Sequence, residues 1–249
     1  MTRFQQALAL CALIALGVAA AVPRDAALWA RAVPAAAALL VAVVGLFHPG
    51  LGSAVAVLAG AVAGIAVTGV VWLWQATMLL ALGLLFALSR VWPNLGSVRE
   101  PLGRVLGWAT FGCAAVTPGA LVAWVLLLQP DLSDITRNLP AVNPALLVLG
   151  GIGFALLNAL CEEWIWRGVI QSRLTALFSP RVAVVVQALS FGVVHAHGFP
   201  RGIVGVALAG TWAILLGALR ARAGGLLAPT IAHVVADATI ATITILWLR

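Results

Sequence analysis

The chain has 249 residues, 63% of them hydrophobic and only 8% charged, with a mean hydropathy of +1.13. So few charges cannot clothe a water-facing surface, and a soluble domain is excluded. The net charge of +7 arises from 14 Arg residues against seven acids. It forms no basic cluster with interleaved aromatics, which argues against nucleic-acid binding.

Read in order, Pro, Gly and charged residues divide the chain into apolar segments near 4–22, 30–47, 51–72, 74–89, 104–128, 145–172, 182–197, 202–219 and 226–248. About 20 apolar residues cross a bilayer as a helix, so the expected fold class is all-α, a polytopic membrane protein of eight or nine transmembrane helices. Residues 1–22, with Arg3, an apolar run and Ala19-Ala20-Ala21, also fit a signal peptide; the reading adopted is a first membrane helix. Gly60-x-x-x-Gly64 and Gly103-x-x-x-Gly107 carry the small-residue spacing of close helix packing. Internal packing explains it more simply than a homodimer face, the alternative. Cys11, Cys113 and Cys161 all fall in apolar runs and form neither a disulfide framework nor a metal knuckle.

Arg residues set the expected orientation. Segments 90–104, 173–181 and 220–225 hold Arg90, Arg99, Arg104, Arg173, Arg181, Arg220 and Arg222, whereas 129–143 holds Asp131 and Asp134 with one Arg. The positive-inside rule then gives a multi-pass protein of the inner (cytoplasmic) membrane with its N-terminus in the cytoplasm, against which Arg24 and Arg31 count.

Four acids, Asp25, Glu100, Asp131 and Asp134, lie in loops; Glu162, Glu163 and Asp237 lie inside apolar segments. An ionisable group there costs about 2.5–3.5 kcal/mol unless it is paired or faces a polar cavity, so these acids with His195 and His233 imply a hydrated pocket. Glu163 and Arg167 have the spacing and order of a favourable intrahelical ion pair. Glu162, about 100° round the helix, is left to find a partner on another helix or a water, as a general base must. His233 and Asp237 share a helix face, as do Phe191 and His195. At ~1.5 Å per residue, Glu162 lies ~16 Å from Arg173, His195 ~21 Å from Arg181 and His233 ~12 Å from Gly225, a similar depth.

At Glu162-Glu163-x-x-x-Arg167, Phe191-x-x-x-His195 and His233-x-x-x-Asp237 the chain resembles the CAAX prenyl protease and bacteriocin-processing family of intramembrane endopeptidases. Its signature is Glu-Glu-x-x-x-Arg, Phe-x-x-x-His and His-x-x-x-Asn/Asp on three helices of a four-helix core. The resemblance covers about 145–248. It divides the chain into N-terminal helices of unassigned role, 1–140, and a protease core, 141–249. It implies that Glu162 activates water with help from His195, that His233 and Asp237 stabilise the oxyanion or hold the centre, and that Glu163 and Arg167 are architectural. The implied partners are the bilayer and a membrane protein or peptide substrate.

An ionised Asp237 can only accept hydrogen bonds where an Asn could donate; orienting His233 is the role expected of it. No cofactor is needed in this scheme. The closest alternative is a zinc hydrolase using Glu162, His195, His233 and Asp237, although His-Glu-x-x-His is absent. A transporter or a non-catalytic immunity protein is the alternative of another class. No second copy of the motifs stands in the N-terminal half, as the internal repeats common in transporters would give.

Overall fold

A computed structural model describes residues 3–23, 26–47, 103–137 and 139–247, together with Gly83. Among these every regular element is helical. We number them α1 (Arg3–Ala21), α2 (Leu28–Phe47), α3 (Arg104–Leu128), the short α4 (Ser133–Arg137), α5 (Pro144–Glu163), α6 (Pro180–Val194), α7 (Gly202–Ala223) and α8 (Leu227–Leu246). α5 runs on without a break through a π-wound stretch, Trp164–Gln171, and a last α-helical piece, Ser172–Leu177. Five of these helical runs are long and apolar enough to cross a membrane: Arg3–Ala21, Leu106–Leu128, Pro144–Leu177, Gly202–Ala223 and Leu227–Leu246. The spans expected at 51–72 and 74–89, the pair Gly60 and Gly64, and Arg90, Arg99 and Glu100 lie outside the described residues.

Local chemistry sets the helix ends. The Asn143 side chain accepts from the Ala145 N–H ahead of Pro144, and Ser179 accepts from the Val182 N–H ahead of Pro180. In each case a polar cap satisfies an orphan N–H and proline takes the position where its missing donor costs nothing. Gly224, at φ 71°, closes α7 in the left-handed conformation that glycine adopts without strain. One boundary differs from expectation: the segment read as 182–197 stops being α-helical at Val194, and His195–His197 form a single 3-10 turn.

Burial is inverted relative to a soluble protein. Leu127 and Ile203 are 79% and 83% exposed, while Arg167, Glu163 and Gln187 are 0% exposed. Lipid is the solvent that accepts the first set, and backbone and side-chain partners must satisfy the second. The core forms where α1 and α6 meet the π-wound part of α5: Leu16, Ile165, Trp166, Ile170, Leu174 and Phe191 are sealed there. Helices of the N-terminal segment therefore pack directly on the C-terminal ones. α3 does the same on its side, with Leu121, Trp124 and Val125 joining Ile243 of α8.

Among the described residues, a close approach of two helices falls at a glycine that sequence spacing did not single out. A Cβ at Gly103 or Gly107 would meet nothing within 4 Å among the described residues. A Cβ at Gly192 would stand 2.7 Å from the Val206 carbonyl and 3.1 Å from the Gly210 Cα. Because the obstacle is backbone, α6 and α7 would have to separate. Gly192→Ala is expected to lower thermal stability in detergent by about 1–3 kcal/mol. Gly210→Ala, whose Cβ would find its nearest neighbour at 3.6 Å, is the tolerated control. Equal unfolding temperatures for the two variants would remove the contact from the packing account.

Side-chain contacts sort the helix ends into two groups. Gln6 Nε2 donates to the Leu177 carbonyl (2.7 Å) and Arg220 Nη2 to Ser172 Oγ (3.4 Å), so the start of α1 and the ends of the α5 run and α7 lie together. Arg201 Nη1 donates to the Asp131 carbonyl (2.9 Å) and His197 Nε2 to that of Ala21 (3.3 Å), which gathers the opposite ends.

Candidate active site

Glu162 and Glu163 close the α-wound part of α5, just where the winding turns to π. From Ile165 to Gln171 every residue is buried, so the stretch is surrounded by protein on all sides. Its cation is enclosed with its partner: Arg167 Nη1 donates to Glu163 Oε1 at 2.9 Å, as the spacing indicated. Nε has no hydrogen-bond partner among the described residues, and the rest of the guanidinium is held by tertiary contacts. Nη2 donates to the Ala213 carbonyl at 3.4 Å, and Cζ lies 4.8 Å from the centre of the Phe191 ring.

His233 reaches the same oxygen from α8. Its Nδ1 and Glu163 Oε1 are 2.6 Å apart, so Nδ1–H donates to the carboxylate and Nε2 points the other way. There it faces two more carboxylates, Glu162 Oε2 at 3.6 Å and Asp237 Oδ1 at 3.8 Å. The bond that orients His233 is therefore made by Glu163, not by Asp237, the residue from which sequence spacing led us to expect it. The other oxygen of Asp237, Oδ2, accepts from Asn158 Nδ2 at 3.2 Å. Glu162 is 5% exposed and its Oε2 has no hydrogen-bond partner.

His195 ends α6 at the edge of this group. Its Nδ1 lies 2.9 Å from the Phe191 carbonyl, which can only accept, so Nδ1 carries the hydrogen and Nε2 presents a lone pair when the ring is neutral. Phe191 ties the parts together: its ring centre is 4.5 Å from that of His195, 6.0 Å from that of His233 and 5.2 Å from that of Trp166. Glu162, Glu163, Arg167, Phe191, His195, His233 and Asp237, drawn from three helices, thus converge. His197 does not; it is turned to the end of α1.

Several polar residues of the surroundings were not singled out from sequence. Asn158 is one, and a second group lies behind Arg167. Gln187 Nε2 donates to the same Ala213 carbonyl at 2.9 Å, Gln171 Nε2 donates to the Gly217 carbonyl at 2.9 Å, and Trp166 Nε1 donates to Ser190 Oγ at 3.2 Å. An amide inside an apolar span was the available signal, since such groups bind helices to one another. As to a metal, no group of three or more His, Cys, Asp or Glu among the described residues is arranged to hold one.

Fold and site together define a polytopic helical membrane protein with a buried acid–histidine centre. Residues 144–239 are similar to the family described as Type II CAAX prenyl endopeptidase Rce1-like, the same stretch that carries the three motifs. Comparisons with curated proteins and with solved structures give no match.

Proposed function

We propose that the chain is an intramembrane endopeptidase that hydrolyses a peptide bond of a membrane-associated protein or peptide. The observation that carries this reading is Glu162: a buried carboxylate whose Oε2 accepts no hydrogen bond and stands 3.6 Å from His233 Nε2. Such a group is a base waiting for a proton.

In this scheme Glu162 takes a proton from water, which the Nε2 lone pair of His195 helps to orient. The hydroxide adds to the scissile carbonyl, and the developing oxyanion is met by His233 Nε2–H, with Glu163 holding the ring from the far side. Glu162 then passes its proton to the departing amine as the C–N bond breaks. Oxyanion donors of this kind contribute roughly 2.7–4 kcal/mol each. Similarity to a family of prenyl endopeptidases supports the reaction class.

The test works without an identified substrate. Membranes from cells making equal amounts of wild-type or Glu162→Gln protein are profiled by mass spectrometry for new protein termini, with and without a zinc chelator. New termini that depend on Glu162 and survive the chelator are the expected result. Identical profiles for the two proteins would end the endopeptidase reading, and loss of the termini with chelator would favour the zinc alternative.

Orientation follows from the Arg residues. The end of the bundle that gathers Arg3, Arg173, Arg181, Arg220 and Arg222 is taken as cytoplasmic, and the end with Asp131 as external. In a cysteine-free background, a cysteine at His197 should react with a membrane-impermeant maleimide in intact cells, and one at Gly225 should react only after lysis. The reverse pattern would invert the topology.

A further inference from the structure

Three carboxylates, Glu162, Glu163 and Asp237, are buried in the centre. An oxyanion that develops among them needs preorganised donors that carry no negative charge. Arg167 turns Nη1 to Glu163 and Nη2 to the Ala213 carbonyl, with Nε unpartnered among the described residues, and His233 Nδ1 is committed to Glu163. Among the described residues, the amide of Asn158 bonds to one of these carboxylates. Asn158 stands four residues before Glu162, on the same face of α5, and is 7% exposed. Its Nδ2 donates across to Asp237 Oδ2 at 3.2 Å, while Asp237 Oδ1 lies 3.8 Å from His233 Nε2. Glu162, Asn158, Asp237 and His233 therefore form one connected group between α5 and α8.

We infer that Asn158 is a catalytic residue whose side-chain amide, together with His233 Nε2–H, holds the oxyanion, while Asp237 fixes the direction of that amide. The inference rests on the endopeptidase reading. The amide nitrogen carries two hydrogens; one is directed to Asp237, and in the proposed step the other turns to the oxyanion. As hydroxide adds to the carbonyl carbon, the π pair moves to oxygen, which accepts from Asn158 and His233. Collapse returns the pair to carbon, breaks the C–N bond and expels the amine, which takes the proton held by Glu162. Asp237, an acceptor only when ionised, thus acts through Asn158 and is a positioning residue.

The experiment compares full-length variants in membranes at equal amounts, reading initial rates of the Glu162-dependent new termini and thermal unfolding in detergent. Asn158→Ala should slow their formation by about 100-fold or more at an unchanged unfolding temperature. Asn158→Asp, which adds a further carboxylate, should be at least as slow. The double variant Asn158→Asp with Asp237→Asn exchanges acid and amide across one contact, and should recover to within about tenfold of wild type. A wild-type rate in Asn158→Ala, or a double variant no faster than Asn158→Asp alone, overturns the inference. Should Asn158→Ala fail to fold, the comparison of the double with the single variant still decides. Cleavage abolished by Glu162→Gln but untouched by Asn158→Ala would refute the role of Asn158 and leave the endopeptidase reading standing. Absence of any Glu162-dependent terminus would refute that reading instead.

Discussion

Replacing Glu162 by Gln is expected to reduce formation of new termini by about 10²–10⁴-fold, the range associated with a positioned general base. Gln keeps the length and shape of the side chain and leaves an oxygen facing His233 Nε2. What it loses is basicity. The unfolding temperature in detergent should therefore stay near that of wild type, which separates loss of chemistry from loss of fold. Glu163→Gln provides the contrast. Glu163 Oε1 accepts from both Arg167 and His233, at 2.9 and 2.6 Å, so neutralising it leaves Arg167 buried without a counter-charge and should lower stability as well as rate. Substantial cleavage by the Glu162→Gln protein would take Glu162 out of the mechanism.

Removing Arg167 should produce the largest loss of stability. The side chain is 0% exposed and bonded to Glu163, with a second contact to the Ala213 carbonyl and a third to the Phe191 ring. Arg167→Ala takes the guanidinium from buried Glu163 and leaves it the His233 contact, and breaking a buried pair from one side typically costs about 3–5 kcal/mol. Yield, unfolding temperature and activity should fall together. Arg167→Lys restores the charge but not the planar fork that addresses Glu163 and Ala213 in two directions, so it should recover only part of the stability. An Arg167→Ala protein with a wild-type unfolding temperature and no activity would instead assign Arg167 a direct part in the reaction.

Contacts within one helix were legible in advance because helical periodicity is a local property. Glu163 and Arg167 pair as their spacing indicates, and Phe191 stacks beside His195 for the same reason. Depth arithmetic also placed Glu162 and His233 at one level, and they stand 3.6 Å apart. The expected Asp237 bond to His233 failed because spacing shows only that two residues share a face. It does not show which neighbour competes for them. Glu163 enters from another helix, with a shorter approach to Nδ1 than Asp237 has to Nε2. Gly192, which meets the α7 backbone, has no spacing signal of its own, because a close approach between two helices is a property of the pair and not of either sequence alone.

By itself, the sequence determined that the chain lives in a membrane, because 63% hydrophobic residues leave no other solvent for its helices. It determined where most of the described helices run, and which ionisable residues had to be enclosed together, because a buried charge demands a partner wherever it sits. Tertiary structure alone decided who those partners are. Glu163 serves two donors, Asn158 holds Asp237, and Gln187 shares the Ala213 carbonyl with Arg167, each contact joining residues far apart in the chain. Such choices depend on how helices rotate and approach one another in lipid, where packing and polar contacts, not apolar burial, select the arrangement.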